Sequence, residues 1–212
     1  VLDRWFTDQV QPRLAGDTAL VRYADDFVIC TQNPDEACWL LQAIRDRFTR
    51  CGLTVSEEKT RVLSCGRKAW AGRRAGGEKP GTFDFLGFTH FVGTSRKGTY
   101  MVGRVTSRTK FRKSLKALKE WLKSVRSLPV RDWWPLLVAK LRGHFQYYGV
   151  SGNSPAIARY ADRALQLVKR ALARRSHKPT PHLWGWLHRY LARHPLPRPK
   201  IMHRWYDPSP VR

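Results

Sequence analysis

Acidic residues are almost missing from the second part of this sequence. Residues 91–212 hold 27 Lys and Arg against four Asp and Glu, whereas residues 1–90 hold 13 against 12. The balance is therefore +23 on one part and +1 on the other, within a total of +24. A polycation that also carries aromatics selects for a phosphate backbone. A membrane-surface patch or a ribosomal-type RNA chaperone are the blander readings. Cysteine is scarce too: Cys30, Cys38, Cys51 and Cys65 lie far apart, with no CxxC pair and no nearby His. That spacing argues against a zinc site and for free thiols in a reducing compartment. Long apolar runs are lacking. Stretches such as "LPVRDWWPLLVAKL" are broken by charge well short of the ~20 residues a membrane span needs. No signal peptide is visible, and the chain opens at Val1 inside structured-looking sequence, so it reads as a piece of something longer.

What is present is a folding composition. Hydrophobic residues make up 42% and aromatics 12%, with nine Trp among 212 residues, which excludes a disordered tail. The length suits one large domain or two small ones. Within it, "VRYADDFVIC" (residues 21–30) sets Asp25 and Asp26 side by side in an alternating stretch. The alternation predicts a hairpin, residues 20–23 and 27–30, with the turn near "ADD". Two adjacent carboxylates repel each other, and something outside the stretch has to offset that cost. A rigid turn projecting two hard oxygen ligands is a platform for Mg²⁺.

Further along, "NPDEACWLLQAIRDRFTRCG" predicts an amphipathic helix lying on a sheet. Asn33 is its N-cap, Pro34 its first residue, Glu36 the reciprocal capping residue and Gly52 its end. Ala37, Leu40, Leu41, Ile44 and Phe48 form the apolar stripe. "LTVSEEKTRVLSC" reads as a turn and strand, and "KAWAGRRAGGEKPGT" as an exposed basic loop. "FDFLGFTHFV" and "TYMVGRVTS" read as strands around a "GTSRKGT" turn. After Ser107 the texture turns helical. Phe111, Leu115, Leu118, Leu122 and Val125 make one stripe; Trp134, Leu137, Val138, Leu141, Phe145 and Tyr148 make another. Ile157, Tyr160, Ala164, Leu167 and Val168 make a third, and "PHLWGWLHRYLARH" a weaker fourth. Strands followed by basic helices define an α+β chain with a boundary near residue 105.

"YADD" inside a hydrophobic hairpin resembles the palm motif of reverse transcriptases. An amphipathic helix, "GLTVSEEKT" and "FDFLGF" follow it in the order that family shows. The helical part, notably "LRGHFQYYG" (residues 141–149), is similar to the maturase-specific, or thumb, region of group II intron-encoded proteins. The resemblance implies a partial palm over residues 1–105, a helical thumb or maturase domain over 106–178, and a basic extension over 179–212. It implies template-directed DNA synthesis on RNA with two Mg²⁺ ions. Asp25 would be a direct metal ligand, and Asp26 a second carboxylate with a smaller share. Tyr23 and Ala24 would line the floor beside the primer terminus or nucleotide. Lys59 would neutralise or protonate the leaving pyrophosphate. Phe85, Leu86 and Gly87 would form the primer grip.

The family also needs a third carboxylate and fingers residues, both located before the YADD strand. Asp3 and Asp8 lie in helical-looking sequence and are not promoted to that role. These 212 residues alone are therefore expected not to polymerise, and the missing N-terminal half or a full-length parent is an implied partner. RNA, as intron or template, and a DNA primer are the others; no membrane is implied, and the setting is the bacterial cytoplasm. For nucleic-acid contact the candidates are Arg104, Arg108, Lys110, Arg112, Lys113, Arg142, Lys169, Arg170, Arg174 and Arg175. His144, His177, His182, His188, His194 and His203 read as packing or RNA contacts, because only Glu120, Asp132, Asp162 and Asp207 could accompany them. Two other readings stand beside this one. One is an RNA-binding splicing maturase whose palm remnant is only a scaffold. The other is a reverse transcriptase of another, defence-associated lineage.

Overall fold

The computed structural model describes residues 2–175 and 182–204. The fold is mixed α+β. Leu2–Trp5 (α1) leads through a wide turn, Phe6–Val10, and a tight one, Gln11–Arg13, into strands Ala19–Tyr23 (β1) and Asp26–Cys30 (β2). Helices Pro34–Arg50 (α2) and Arg67–Arg74 (α3) follow. Then come strands Phe83–Phe85 (β3), Phe88–Thr94 (β4) and Tyr100–Thr106 (β5). Helices Arg108–Val125 (α4), Val130–Tyr148 (α5), Ser154–Ala173 (α6) and Leu183–Arg193 (α7) complete the described chain. β1 and β2 form one antiparallel sheet, and β3, β4 and β5 another in that order. Two compact units result: Leu86 and the residues before it with His90–Gly103, and Gly87–Thr89 with the residues from Arg104 on.

The first unit has a small core. Phe6, Val10, Leu40 and Ile44 are buried, and Leu20, Phe27, Ile29 and Phe48 pack against them. α2 thus lies on one face of the β1–β2 hairpin, with Phe27 edge-on to Phe48 at 6.0 Å. The start of α2 differs from expectation. Asn33 stands at the N-cap but its side chain makes no cap bond. Glu36 accepts instead from the Ala15 backbone N–H at 2.8 Å, which ties the helix to the preceding loop. Residues 60–65 form no strand. Their neighbour across the gap offers one backbone bond, Gly81 N–H to Ser64 C=O, where a ladder needs a series. The first part of the expected basic loop is a helix, α3, which ends at Arg74 and buries no residue, while residues 75–82 are turn or irregular as expected. "FDFLGF" folds into a hairpin of its own, turning at Leu86 (φ 49°) and Gly87 (φ 80°). Two consecutive left-handed residues are what a two-residue turn between twisted strands demands.

The second unit is a helical bundle. Leu118 and Leu122 of α4, Trp133, Trp134 and Leu137 of α5, and Ile157, Ala164 and Val168 of α6 form its core with Leu187 of α7. Trp133 joins Trp134 there at 1% exposure, beyond the stripe expected from spacing, because its ring sits edge-on to Trp121 at 6.3 Å. At the α5–α6 junction Gly149 is obligatory. A Cβ there would stand 2.4 Å from the Phe145 carbonyl and 2.6 Å from that of Lys200. The room lets Met202 and His203 donate to the Gly149 carbonyl, and Val150 pairs in parallel with His203.

One buried side chain joins three elements of this bundle. Asn153 occupies the N-cap position of α6 without capping it. Its Oδ1 accepts from the Thr106 N–H at 2.9 Å. Its Nδ2 donates at 2.8 Å both to Thr106 Oγ1 and to the Tyr148 carbonyl. The residue is fully buried, so each of these groups would lose a partner if the amide were removed. Asn153→Ala is expected to lower the stability of the bundle by about 2–4 kcal/mol in denaturant unfolding. Asn153→Asp should cost a similar amount, because a carboxylate cannot donate to the Tyr148 carbonyl.

His144 is a second buried polar group, stacked on Tyr160 with ring centres 3.5 Å apart. Burial pushes its imidazole down from 6.5 to about 4. Between those values the unfolded chain binds a proton that the folded bundle refuses, so stability rises with pH across that window. The contribution is complete above about pH 6.5 and is lost as pH falls towards 4. His144→Phe should keep the stack and flatten this acid limb. The expected difference between wild type and variant is about 1–3 kcal/mol across the window, read from melts at each pH.

Candidate active site

The acidic hairpin is tighter than its sequence suggests. Tyr23 pairs directly with Asp26, so only Ala24 and Asp25 form the turn, and Asp26 is the first residue of β2. Ala24 takes φ 50°, a left-handed conformation that costs a non-glycine residue about 1 kcal/mol or more. Strand alternation assigns the two faces. Leu20, Phe27 and Ile29 face the core, and Arg22 shares their side. Val21, Tyr23, Asp26 and Val28 lie on the opposite face, where Val21 is 52% and Tyr23 66% exposed.

Arg22 braces the turn. Its Nε and Nη2 donate to the Asp3 carboxylate of α1 at 2.9 and 2.5 Å, and its Nη1 donates to the Ala24 carbonyl at 3.0 Å. The hydrogen bonds from Arg22 hold the Asp3 carboxyl below its ordinary range, and Asp3 in turn raises the Arg22 guanidinium, with a smaller push from Asp25. Asp3 is thus committed within the fold. Arg22 is also the residue that motif reading missed, since nothing in "LVRYADD" marks which cation supports the turn.

Asp25 and Asp26 are both exposed, and their side chains form no hydrogen bond or ion pair among the described residues. The expected pair is therefore presented unneutralised. Lys59 sits on the turn after Val55, exposed, and makes no hydrogen bond or ion pair with either aspartate. That turn is anchored to α2 through an ion pair between Arg45 and Glu57. Phe85, Leu86 and Gly87 fall at the β3–β4 turn, half-buried; Phe85 lies 6.4 Å from the His90 ring, which stacks on Phe83 at 5.0 Å. Among the described residues no group of three or more His, Cys, Asp or Glu could hold a metal. Asp25 and Asp26 fit Mg²⁺ in kind, because that ion accepts one or two carboxylates and completes its shell with water and phosphate oxygens.

In the bundle, Arg108, Lys110, Arg112 and Lys113 project from the first turns of α4, all exposed. No acidic residue accompanies them in the first turn, and Ser107 caps the helix by accepting from the Lys110 N–H. Cations at a helix N-terminus oppose the macrodipole by about 0.3–1 kcal/mol each, so this placement makes physical sense beside an anion. Arg142, Arg170, Arg174 and Arg175 are exposed, and Arg104 is half-buried on β5. Lys169 is half-buried, its ammonium 3.5 Å above the Trp184 ring. Among the other histidines, His203 contacts the Gln146 carbonyl, His188 lies beside Trp184 and His194 beside Tyr190. His182 takes the N-cap position of α7 without a side-chain cap bond. His177 and Asp207 lie outside the described residues. The cysteines among them are free thiols, with Cys30 and Cys65 pushed up by burial. No helix among the described residues is long and apolar enough to cross a membrane.

Residues 2–90 match the family described as reverse transcriptase (RNA-dependent DNA polymerase). The matched stretch contains the acidic hairpin, α2, Lys59 and the β3–β4 turn, and covers less than half of the chain. This segment is similar to reverse transcriptases, and the enzyme class that the match indicates is RNA-directed DNA polymerase. No curated protein matches the chain.

Proposed function

We propose that the chain is the C-terminal half of a group II intron-type reverse transcriptase and maturase. In this reading residues 1–105 belong to the palm, 106–178 to the helical thumb or maturase-specific domain, and 179–212 to a basic extension. The observation that carries it is the exposed, unpartnered carboxylate pair at a two-residue turn inside a reverse-transcriptase match. The reaction joins a primer 3′-oxygen to the α-phosphorus of a deoxynucleotide, breaks the bond to the β-phosphate and releases pyrophosphate. Asp25 and Asp26 would hold Mg²⁺, which when bound supplies charge neutralisation at the attacking and leaving oxygens. Tyr23 and Ala24 form the floor on which the primer terminus rests, and Phe85, Leu86 and Gly87 hold the primer strand. Lys59 offers its proton or charge to the departing pyrophosphate. In this reading the third carboxylate and the fingers would be supplied by the half of the protein that precedes these residues. The free thiols accord with the bacterial cytoplasm.

The bundle serves as the RNA-holding part. The observation behind it is the excess of 27 basic over four acidic residues after position 90. A pure splicing maturase remains the second reading, because the same surface would hold intron RNA without synthesis. Primer extension on an RNA template, by the parent chain containing these residues and the upstream half, separates the two. Asp25→Ala should lower extension by at least about 10³-fold, and Asp26→Ala by less. Full extension by the Asp25→Ala protein would contradict the polymerase reading. A wild-type parent that cannot extend, yet binds intron RNA in preference to an unrelated duplex of equal length, would establish the maturase reading instead.

A further inference from the structure

The first unit has a concentration of charge that none of the assigned roles uses. Residues 61–79 carry six Lys and Arg and one acid, Glu78. Elsewhere in residues 1–90 there are seven basic and eleven acidic residues, so that background is negative. α3 lies in this basic segment, an eight-residue helix that buries no residue. Core formation therefore does not account for its presence. What holds it is a set of polar and aromatic contacts to the β4–β5 hairpin. Trp70 Nε1 donates to Thr94 Oγ1 at 3.0 Å, and its ring meets Tyr100 edge-on at 5.9 Å. The Arg67 guanidinium lies 5.5 Å over Tyr100, while within α3 itself that of Arg74 lies 5.2 Å over Trp70. Arg74 also donates to the Gly98 carbonyl at 3.4 Å, which brings the end of α3 to the hairpin turn carrying Arg96 and Lys97.

We infer that α3 and the β4–β5 turn form a second surface for an RNA phosphate backbone, built from Arg67, Lys68, Arg73, Arg74, Arg96 and Lys97. All six are exposed, and none is paired with a carboxylate among the described residues. Two of the guanidiniums are already fixed by stacking, so less side-chain freedom is lost when a phosphate binds. The turn is equally fixed: Ser95 and Thr99 join through backbone N–H to C=O at 2.8 Å and through their hydroxyls at 2.6 Å. A lipid surface would also offer phosphates. Interfacial binding, however, needs an apolar face to insert, and the one large apolar residue of α3, Trp70, is engaged with Thr94 and Tyr100. RNA is the partner that the charge and this engagement both suit. The inference rests on the RNA-binding reading given above and adds a contact site outside the bundle.

The test compares two triple variants of the full chain binding a structured RNA hairpin between about 50 and 200 mM KCl. One variant replaces Arg73, Arg96 and Lys97 by Ala; the other replaces Arg4, Arg13 and Arg50, exposed cations elsewhere in the first unit. Circular dichroism confirms that both fold. The first should weaken binding by about tenfold or more and reduce the slope of log K against log salt by about 2; the second should change neither by more than a small fraction of that. Equal effects of the two, or none from the first, would overturn the surface while leaving RNA binding itself standing. Retained RNA binding with lost binding to phosphatidylserine vesicles would also overturn it, in favour of a lipid site. A wild-type chain that fails to bind the RNA overturns this surface and the RNA-binding reading together.

Discussion

Two carboxylates on adjacent residues, one in a two-residue turn and the other opening the strand after it, impose the constraint around which this chain is arranged. Asp25 and Asp26 are like charges on neighbouring residues, both exposed, and each disfavours the other. Arg22 interacts with Asp25 through charge but gives neither aspartate a hydrogen bond. Arg22 places its donors on Asp3 and on the Ala24 carbonyl, so its charge strengthens the frame of the turn while the acidic tip stays open. A fold that only needed a hairpin would use Asn-Gly or Asp-Gly here and avoid both the left-handed Ala24 and the second acid. The local rule is broken where an external cation and a phosphate substrate would make the arrangement favourable.

The second unit meets the opposite difficulty, an excess of positive charge, and solves it by segregation. Its interior is aromatic and aliphatic, with Trp133, Trp134, Tyr160 and Leu187 buried, while the cations are kept at the surface. The fully buried amide of Asn153 ties the end of β5 to the α5–α6 junction, and the cationic start of α4 follows directly from Thr106 and Ser107. The bundle is thus specified by a few directional bonds as well as by apolar area. Self-repulsion over its surface costs stability and makes an anionic partner part of the energetics.

The sequence was most legible where periodicity and packing agree. The hairpin, α2 and the bundle helices stand where apolar spacing placed them, since each stripe has one face to bury. α3 escaped because "KAWAGRRAGG" has the glycines of a loop, and the helix is held by contacts of Arg67 and Trp70 with Thr94 and Tyr100, which are remote in sequence. The strand expected after Lys59 failed because alternation cannot reveal whether a partner strand supplies a full ladder. Asn33 and Glu36 satisfy a capping pattern that the fold does not use, as a tertiary donor, the Ala15 N–H, competes for the glutamate. In the candidate site the aspartates were evident from the motif. The supporting roles of Arg22 and Asn153 were not, because each depends on a partner at least nineteen residues away or across a helix junction.

The central claim is that the turn at Asp25 and Asp26 receives a divalent cation. Titrating Mn²⁺ as a stand-in for Mg²⁺ into isotope-labelled protein, and mapping paramagnetic broadening of the backbone amides, tests it most directly. The account predicts that broadening centres on residues 23–27 at the lowest metal concentrations, and that Asp25→Ala abolishes this focus while the rest of the spectrum is unchanged. Broadening centred elsewhere, or a focus at the turn that persists in the Asp25→Ala protein, would contradict it.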